Sequence, residues 1–328
     1  MQTHRLLILL VLASMLSACS VPRIRLFTGP RDPLKEFTLQ GKAREKVLVI
    51  PLRGAITDAP QERMFRTRPS MVQEIVSQLR KAEEDPDVKA LLLKIDSPGG
   101  SVTASDMLYN ELVAFKKRTG VTVVAAMMGV AASGGYYVAL PSDAIVAHPT
   151  TVTGSVGVLF LRPKVTGLME KIGFSVEINK SGQNKDMGSP FREASAEENE
   201  ILQDLTDELG GRFVELVTRH RGLDPQTVRE ISSARVYLAN DALKLGLVDQ
   251  IGYLEDAIAL ARTRARLPAD ARVVVYRRTE YPDDNIYNTF TNLESGGGLS
   301  LFSLEQLGLP ADMASGFYYL WPVVLSKD

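Results

Sequence analysis

The sequence predicts an α/β fold, and three features carry that expectation. Apolar runs rich in valine, leucine and isoleucine recur at Val47 to Leu52, Ala90 to Ile95 and from Val121 onward, each sized for one buried strand. Between them lie stretches of helical spacing: Met71 to Glu84, with Val72, Ile75, Val76 and Leu79 on one face, and a second through Leu108, Leu112 and Phe115. Strand and helix patterns keep alternating, as they do where crossover helices join parallel strands.

Taken in order, residues 1–18 hold His4 and Arg5 ahead of the apolar run Leu6 to Ala13, too short to span a bilayer comfortably, and then a small-residue cleavage site. Residues 19–45, with Pro22, Pro30 and Pro33 and no sustained periodicity, read as a tether. The folded domain occupies 46–276. Its first strand, helix and second strand form a β-α-β unit, and Asp96-Ser97-Pro98-Gly99-Gly100 closes the second strand with a sharp turn. A strand follows at Ala144 to Ala147, then the glycine-marked Thr150 to Leu159. The polar, glycine-containing loop Asn179 to Arg192 comes next, and it has little to bury.

Ser195 and Glu198 have the spacing of a capping box ahead of a helix to about His220, with Leu202, Leu205, Leu209 and Phe213 on its apolar side. Pro225 opens a short helix, Ala242 to Leu260 completes the helical part, and Val273 to Tyr276 is a last strand. Residues 277–328 read as an appendage: they contain Gly296-Gly297-Gly298 and the cluster Phe317-Tyr318-Tyr319-Leu320-Trp321, a flap on the domain.

A chain of 328 residues, 45% hydrophobic and 23% charged, is that of a globular protein. Its formal net charge of -1 gives no reason to expect a nucleic-acid partner. Cys19 is the sequence's one cysteine, which excludes an intramolecular disulfide and a cysteine-built metal site. No metal or cofactor is expected. Leu16-Ser17-Ala18-Cys19 resembles the bacterial lipobox, which implies cleavage before Cys19, acylation of that residue and a lipid-tethered mature chain in the cell envelope. Ser20, where an aspartate would imply retention at the inner membrane, leans toward the outer one, with the domain on the periplasmic side.

The segment Val121 to Tyr137 presents one hydroxyl, Ser133, between Ala132 and Gly134-Gly135 at the end of a buried strand. A serine there is a candidate nucleophile, with backbone N–H groups free to stabilise an oxyanion and small neighbours leaving room for substrate. The same run is equally compatible with a small-residue packing turn. For a base, His148 beside Pro149 and His220 at the end of a charged helix both suit structural roles. A lysine is the alternative. Lys185, in the polar loop, is the best placed, provided that burial without a counter-ion keeps its amine neutral and that Asp186 points away.

Four segments, Ser97-Pro98-Gly99-Gly100, Ala132-Ser133-Gly134-Gly135-Tyr136-Tyr137, Thr153-Gly154-Ser155-Val156-Gly157 and Lys185-Asp186-Met187-Gly188-Ser189-Pro190, closely resemble the signature segments of the signal peptide peptidase A family, in the family's order. Ala234-Arg235-Val236-Tyr237 and Leu245-Gly246-Leu247-Val248-Asp249 extend the resemblance over about 46–261. It implies the Clp/crotonase fold, a spiral of β-β-α units, and a membrane-associated serine endopeptidase acting on residual signal peptides and other apolar peptides. It also implies Ser133 as nucleophile, Lys185 as base and acid, the N–H groups of Gly100 and Gly134 as oxyanion donors, and Ser155 as the group orienting the lysine. Single-domain members of this size assemble into homo-oligomeric rings in which a neighbour offers the lysine. The lipobox and the long tail depart from that pattern. Two other functions fit the same fold: a non-catalytic membrane scaffold, and a crotonase-type acyl-CoA enzyme, which needs neither a nucleophilic serine nor a buried lysine.

Overall fold

The computed structural model describes residues 33–63, 66–278, 285–287 and 316–321. Cys19, Ser20, the signal segment and Gly296 to Gly298 lie outside the described residues. Strand β1 (Lys35–Gln40) leads into β2 (Lys46–Arg53), the short β3 (Gln61–Arg63) and β4 (Arg66–Arg68), helix α1 (Met71–Glu83), β5 (Val88–Ser97), β6 (Gly99–Ser101), α2 (Val102–Thr119), β7 (Thr122–Ala132) and α3 (Gly134–Ala139). Then come β8 (Ala144–Ala147), β9 (Val152–Gly154), β10 (Leu159–Leu161), α4 (Thr166–Ile172), α5 (Ala196–Arg221), α6 (Pro225–Ile231), β11 (Val236–Leu238) and α7 (Ala239–Lys244). The chain continues with β12 (Gln250–Ile251), α8 (Leu254–Arg264), β13 (Arg272–Arg277) and β14 (Gly316–Leu320).

The main sheet runs β1-β13-β2-β5-β7-β8-β12, parallel from β13 to β12, with β9 pairing beyond β8 along the end of β7 and β11 on β9. Alternate residues of each central strand face opposite sides, and both sides are covered. Leu48, Leu91, Leu93 and Val123 meet α1 and α2, while Val47, Val49, Leu92 and Val124 meet Leu254, Ala257 and Ile258 of α8. A strand buried on both faces has no polar side to show, which is why these runs are continuously apolar. The helices start where a side-chain oxygen can take a free N–H: Ser70 accepts from Gln73, Ser101 from Ala104, and Asp224, ahead of Pro225, from Gln226 and Thr227.

Four expectations differ from what is observed. The body begins before Lys46, because Lys35–Gln40 pairs antiparallel with β13 and places Phe37 and Leu39 on the second core. As an edge strand of mixed polarity it carries little pattern of its own. Ala242 to Leu260 is not one helical stretch but the end of α7, β12 and most of α8. Leu205 is exposed rather than on the packed side of α5. Last, the supposed turn at Gly99 and Gly100 is strand β6, and its partner comes from the C-terminal segment: β14 lies between β10 and β6 in a second, antiparallel sheet. Tyr319 is fully buried there, so this part of the tail is built into the body rather than laid over it.

Candidate active site

Ser133 follows the last residue of β7, where Ala132 pairs with Gly154. It holds φ 52° and ψ -118°, a conformation that an L-residue adopts at a cost of about 1–3 kcal/mol and that persists only when its surroundings fix it. Those surroundings are the Ser133 N–H donating to Gly154 O (2.8 Å) and its carbonyl accepting from Tyr137 N (2.9 Å). Farther down, the Tyr136 hydroxyl donates to Leu247 O (2.8 Å) and that of Tyr137 to Asp106 (2.6 Å), tying α3 into the core. Ser133 is 1% exposed, and its Oγ is buried without a hydrogen-bond partner. Almost every buried hydroxyl is bonded, so an unbonded one held in a strained backbone calls for a reason other than packing.

The Gly99–Ser101 strand is pressed against this turn. Ile56 N donates to Gly99 O (2.9 Å) and Ser101 N to Ile56 O (3.0 Å), which turns the Gly100 N–H to the opposite side. A Cβ on Gly100 would stand 2.0 Å from Ile56 O, and one on Gly134 would stand 2.5 Å from Ser105 Oγ and 3.1 Å from Gly99 Cα. Only glycine fits at Gly100, and a side chain at Gly134 would require Ser105 and the backbone beside it to shift. The structure therefore brings Gly100, Gly134 and Ser133 together. Ser155, next to Gly154, has a left-handed backbone (φ 52°) held by its N–H on Arg235 O (2.8 Å), and it stands one residue beyond the carbonyl that fixes Ser133.

Lys185 is not gathered in with them. Its backbone N–H donates to Gly182 O (3.1 Å), but its side chain is exposed and bonds to nothing among the described residues. The burial required of a lysine base is thus not supplied within one chain. The loop is pinned in another way. Ser195 accepts from Glu198 N (3.0 Å), yet Glu198 leaves the capping box half-made: its carboxylate accepts instead from Gly188 N (2.6 Å) and Arg192 (2.7 Å). Burial pushes the Glu198 carboxyl up, and the Gly188 N–H and Arg192 outweigh it, so that it ends below the ordinary range. Arg192 and Lys180 take the Asp186 carboxylate, which keeps it away from Lys185 and holds it well below the usual carboxylate range. Around this loop Leu168, Ile172, Phe174, Ile178 and Phe191 are exposed, an apolar surface left uncovered by the single chain.

The two histidines weighed as bases are engaged elsewhere. His148 Nδ1 bonds to the Thr150 hydroxyl (2.9 Å), and His220 Nε2 to Tyr109 (2.8 Å), with burial, then Lys116 and its arginine neighbours, lowering the His220 pKa. Among the described residues no cluster of three or more His, Cys, Asp or Glu is placed to hold a metal ion, and no helix is long and apolar enough to cross a membrane. Sequence reasoning missed the part played by Phe317 to Leu320, which covers the glycines of the site. Its aromatic, strand-forming composition was the available signal.

Residues 115–268 match the model of peptidase family S49, and residues 65–150 match that of Clp protease. A protein of Enterococcus faecium named for the signal peptide peptidase SppA is 36% identical over 253 residues, covering 77% of this chain and 73% of its own length. A Synechocystis protein named as a protease is 37% identical over 227 residues, 69% of this chain and 77% of that protein. Protease 4 of Haemophilus influenzae is 31% identical over 267 residues, 81% of this chain and 42% of its own.

Proposed function

The chain belongs to peptidase family S49 and is a serine-type peptidase of Clp/crotonase-like α/β fold, and from that premise we propose that Ser133 is its nucleophile and Lys185 its base. The observation that carries the proposal is the strained, buried and unbonded Ser133 at the end of β7, followed by the tightly packed Gly134 and close to the strand in which Gly100 leaves no room for a side chain. Ser133 Oγ attacks the scissile carbonyl carbon as the neutral Lys185 amine takes its proton. The carbonyl π-electrons move to oxygen, where the Gly100 and Gly134 N–H groups meet the developing charge. The lysine gives the proton to the leaving amine as the C–N bond breaks; the Lys185 amine then deprotonates a water that attacks the acyl-serine, and it returns that proton to Ser133 Oγ as the ester C–O bond breaks. Ser155 orients the lysine.

The substrates that suit this reading are residual signal peptides and other extended, apolar peptides, bound by strand addition. Acylated Cys19 would anchor the enzyme at the envelope membrane with this domain outside the cytoplasm. The exposure of Lys185 and of the apolar residues around it supports a head-to-tail ring in which the loop of one protomer completes the serine site of the next.

The test is labelling with a serine-reactive fluorophosphonate. Wild type should label, Ser133→Ala should not, and Lys185→Ala should label at a small fraction of the wild-type rate. Equal labelling of wild type and Ser133→Ala would end the assignment.

A further inference from the structure

The two oxyanion donors of the reading above come from different elements, and one side chain links those elements. Gly100 lies in β6, which runs straight into α2: the Ser101 hydroxyl accepts from Ala104 N (3.2 Å) and the Ser105 hydroxyl donates to Ser101 O (2.9 Å), so strand end and helix start form one rigid piece. Gly134 opens α3, a helix of six residues, all of them buried. So short a helix does not hold its own place; its anchors do. Tyr136 is fastened to Leu247 O, which belongs to neither β6 nor α2. Tyr137 is fastened to Asp106 on α2, one residue beyond Ser105, whose hydroxyl leaves no room for a Cβ on Gly134.

The Tyr137 ring is fully buried, with the rings of Tyr109 (5.4 Å between centroids) and Phe213 (4.9 Å) edge-on to it. Edge contacts fix the plane of a ring and resist its sliding only weakly, so the hydroxyl bond sets how far the ring, and α3 with it, advances toward α2. At 2.6 Å to a carboxylate that bond is of the short, charge-assisted kind. Asp106 Oδ1 takes both donors, Tyr137 Oη and Arg212 Nη2 (2.7 Å). The Arg212 ion pair is open to solvent and adds little by itself, but it aims the carboxylate. Burial, then the Asp106 carboxylate, raises the Tyr137 phenol well above its ordinary value, so it stays the donor at working pH.

We infer that Asp106 is a positioning residue for the oxyanion hole: by holding Tyr137 it sets α3, and so the Gly134 N–H, at the place that the Gly100 N–H on the same β6–α2 piece requires. The inference rests on the reading of Ser133 as nucleophile with those two donors. An oxyanion is stabilised only when both N–H groups reach one oxygen at about 2.7–3.1 Å. Without the Asp106 carboxylate a buried phenol loses its acceptor, and it regains one only if α3 moves, which draws Gly134 out of line with Gly100. Strand addition of the ground-state peptide does not draw on these two donors, so the loss falls on the transition state. Asparagine at 106 keeps the arrangement, because Oδ1 is the atom that both donors use and an amide oxygen has a lone pair for each.

The experiment measures hydrolysis of an apolar peptide ester, and inhibition by the matching peptide boronic acid, for the full chain as wild type, Asp106→Ala, Asp106→Asn, Tyr137→Phe and the double variant Asp106→Ala with Tyr137→Phe. Rates are taken per active site, counted by the end point of fluorophosphonate labelling. Asp106→Ala should lower kcat about 10- to 100-fold, short of the loss from a donor removed outright, with KM within about twofold of wild type. The boronic acid, whose serine adduct places a hydroxyl in the oxyanion hole, should bind weaker by the factor that kcat loses. Asp106→Asn should stay within about threefold of wild type, since it exchanges a charge-assisted acceptor for a neutral one. The double variant should be no slower than Asp106→Ala, because Asp106 acts only through the hydroxyl. A wild-type kcat per site in Asp106→Ala, an unchanged boronic acid affinity while kcat falls, or equal losses in the alanine and asparagine variants would each overturn the inference. Since Tyr137 is buried and its replacement can impair folding, the decision rests on the two Asp106 variants, whose side chain is 38% exposed. Hydrolysis that persists in Ser133→Ala would instead overturn the nucleophile assignment beneath.

Discussion

Replacing the residue proposed as nucleophile should make this protein more stable. Ser133 bears two separable costs: a left-handed backbone, about 1–3 kcal/mol, and a buried hydroxyl without a partner, about 1–3 kcal/mol. Ser133→Ala removes the second and keeps the first, so it should gain about 1 kcal/mol, taking the low end because a hydroxyl at a groove is less fully dehydrated than one in a core. Ser133→Gly removes both and gives back about 0.5–1 kcal/mol through the freer unfolded chain, for a net gain of about 2 kcal/mol. For a domain of this size each kcal/mol moves the midpoint by about 2–4 °C, so the glycine variant should melt about 4–8 °C above wild type while losing all activity. Most substitutions at buried positions do the reverse, which makes the sign informative. Calorimetry and denaturant unfolding of the three proteins decide it. A glycine variant no more stable than the alanine variant would show that the turn stores no more strain than the roughly 0.5–1 kcal/mol the freer glycine chain gives back, and two destabilised variants would show that the hydroxyl is a structural group. Either result would sink the argument from Ser133's geometry.

Lys185→Arg should be as inactive in ester hydrolysis as Lys185→Ala, because a guanidinium does not release a proton at working pH; substantial activity in the arginine variant would move the base elsewhere. Co-expressed Ser133→Ala and Lys185→Ala chains should recover activity, with about one boundary in four competent in a random equimolar ring, and background activity despite proven mixing would refute the shared site. The Glu198 carboxyl is held below the ordinary glutamate range, so its hold on the Asn179 to Arg192 loop is present above about pH 4 and is lost as pH falls through its depressed value. Glu198→Gln should therefore expose that loop to limited proteolysis at neutral pH, where wild type resists; equal cleavage of the two would show that the loop is pinned by something else.

What was legible in the sequence follows the range of the interactions. Val47 to Leu52 and Ala90 to Ile95 announce themselves because a strand buried on both faces has only apolar residues to place, and the helix starts at Ser70 and Asp224 depend on partners two or three residues away. Glu198 was misread for the same reason. Its spacing from Ser195 is that of a capping box, and nothing local says that Gly188 N and Arg192, from the preceding loop, would claim the carboxylate. The pairing of Gly316–Leu320 with Gly99–Ser101 joins segments more than two hundred positions apart, and no periodicity within either one encodes it. Lys185 was correctly placed in a polar loop, but its burial was assumed, and a single chain does not provide it.

The glycines of the site show how packing and chemistry come to demand the same residue. Gly100 lacks a side chain because Ile56 O lies where one would begin, a requirement of the sheet that holds with or without substrate. Meeting it commits the neighbouring Gly99 O and Ser101 N to Ile56, so the Gly100 N–H faces the other side of β6, where β14 pairs with it. The C-terminal segment supplies that partner strand, with Tyr319 opposite Gly100. Tyr319, whose ring packs on Tyr137 and Phe213 and whose hydroxyl donates to Leu209 O, anchors that strand in the body, so the backbone beside Ser133 is fixed by Ile56 from one side and by the C-terminal strand from the other.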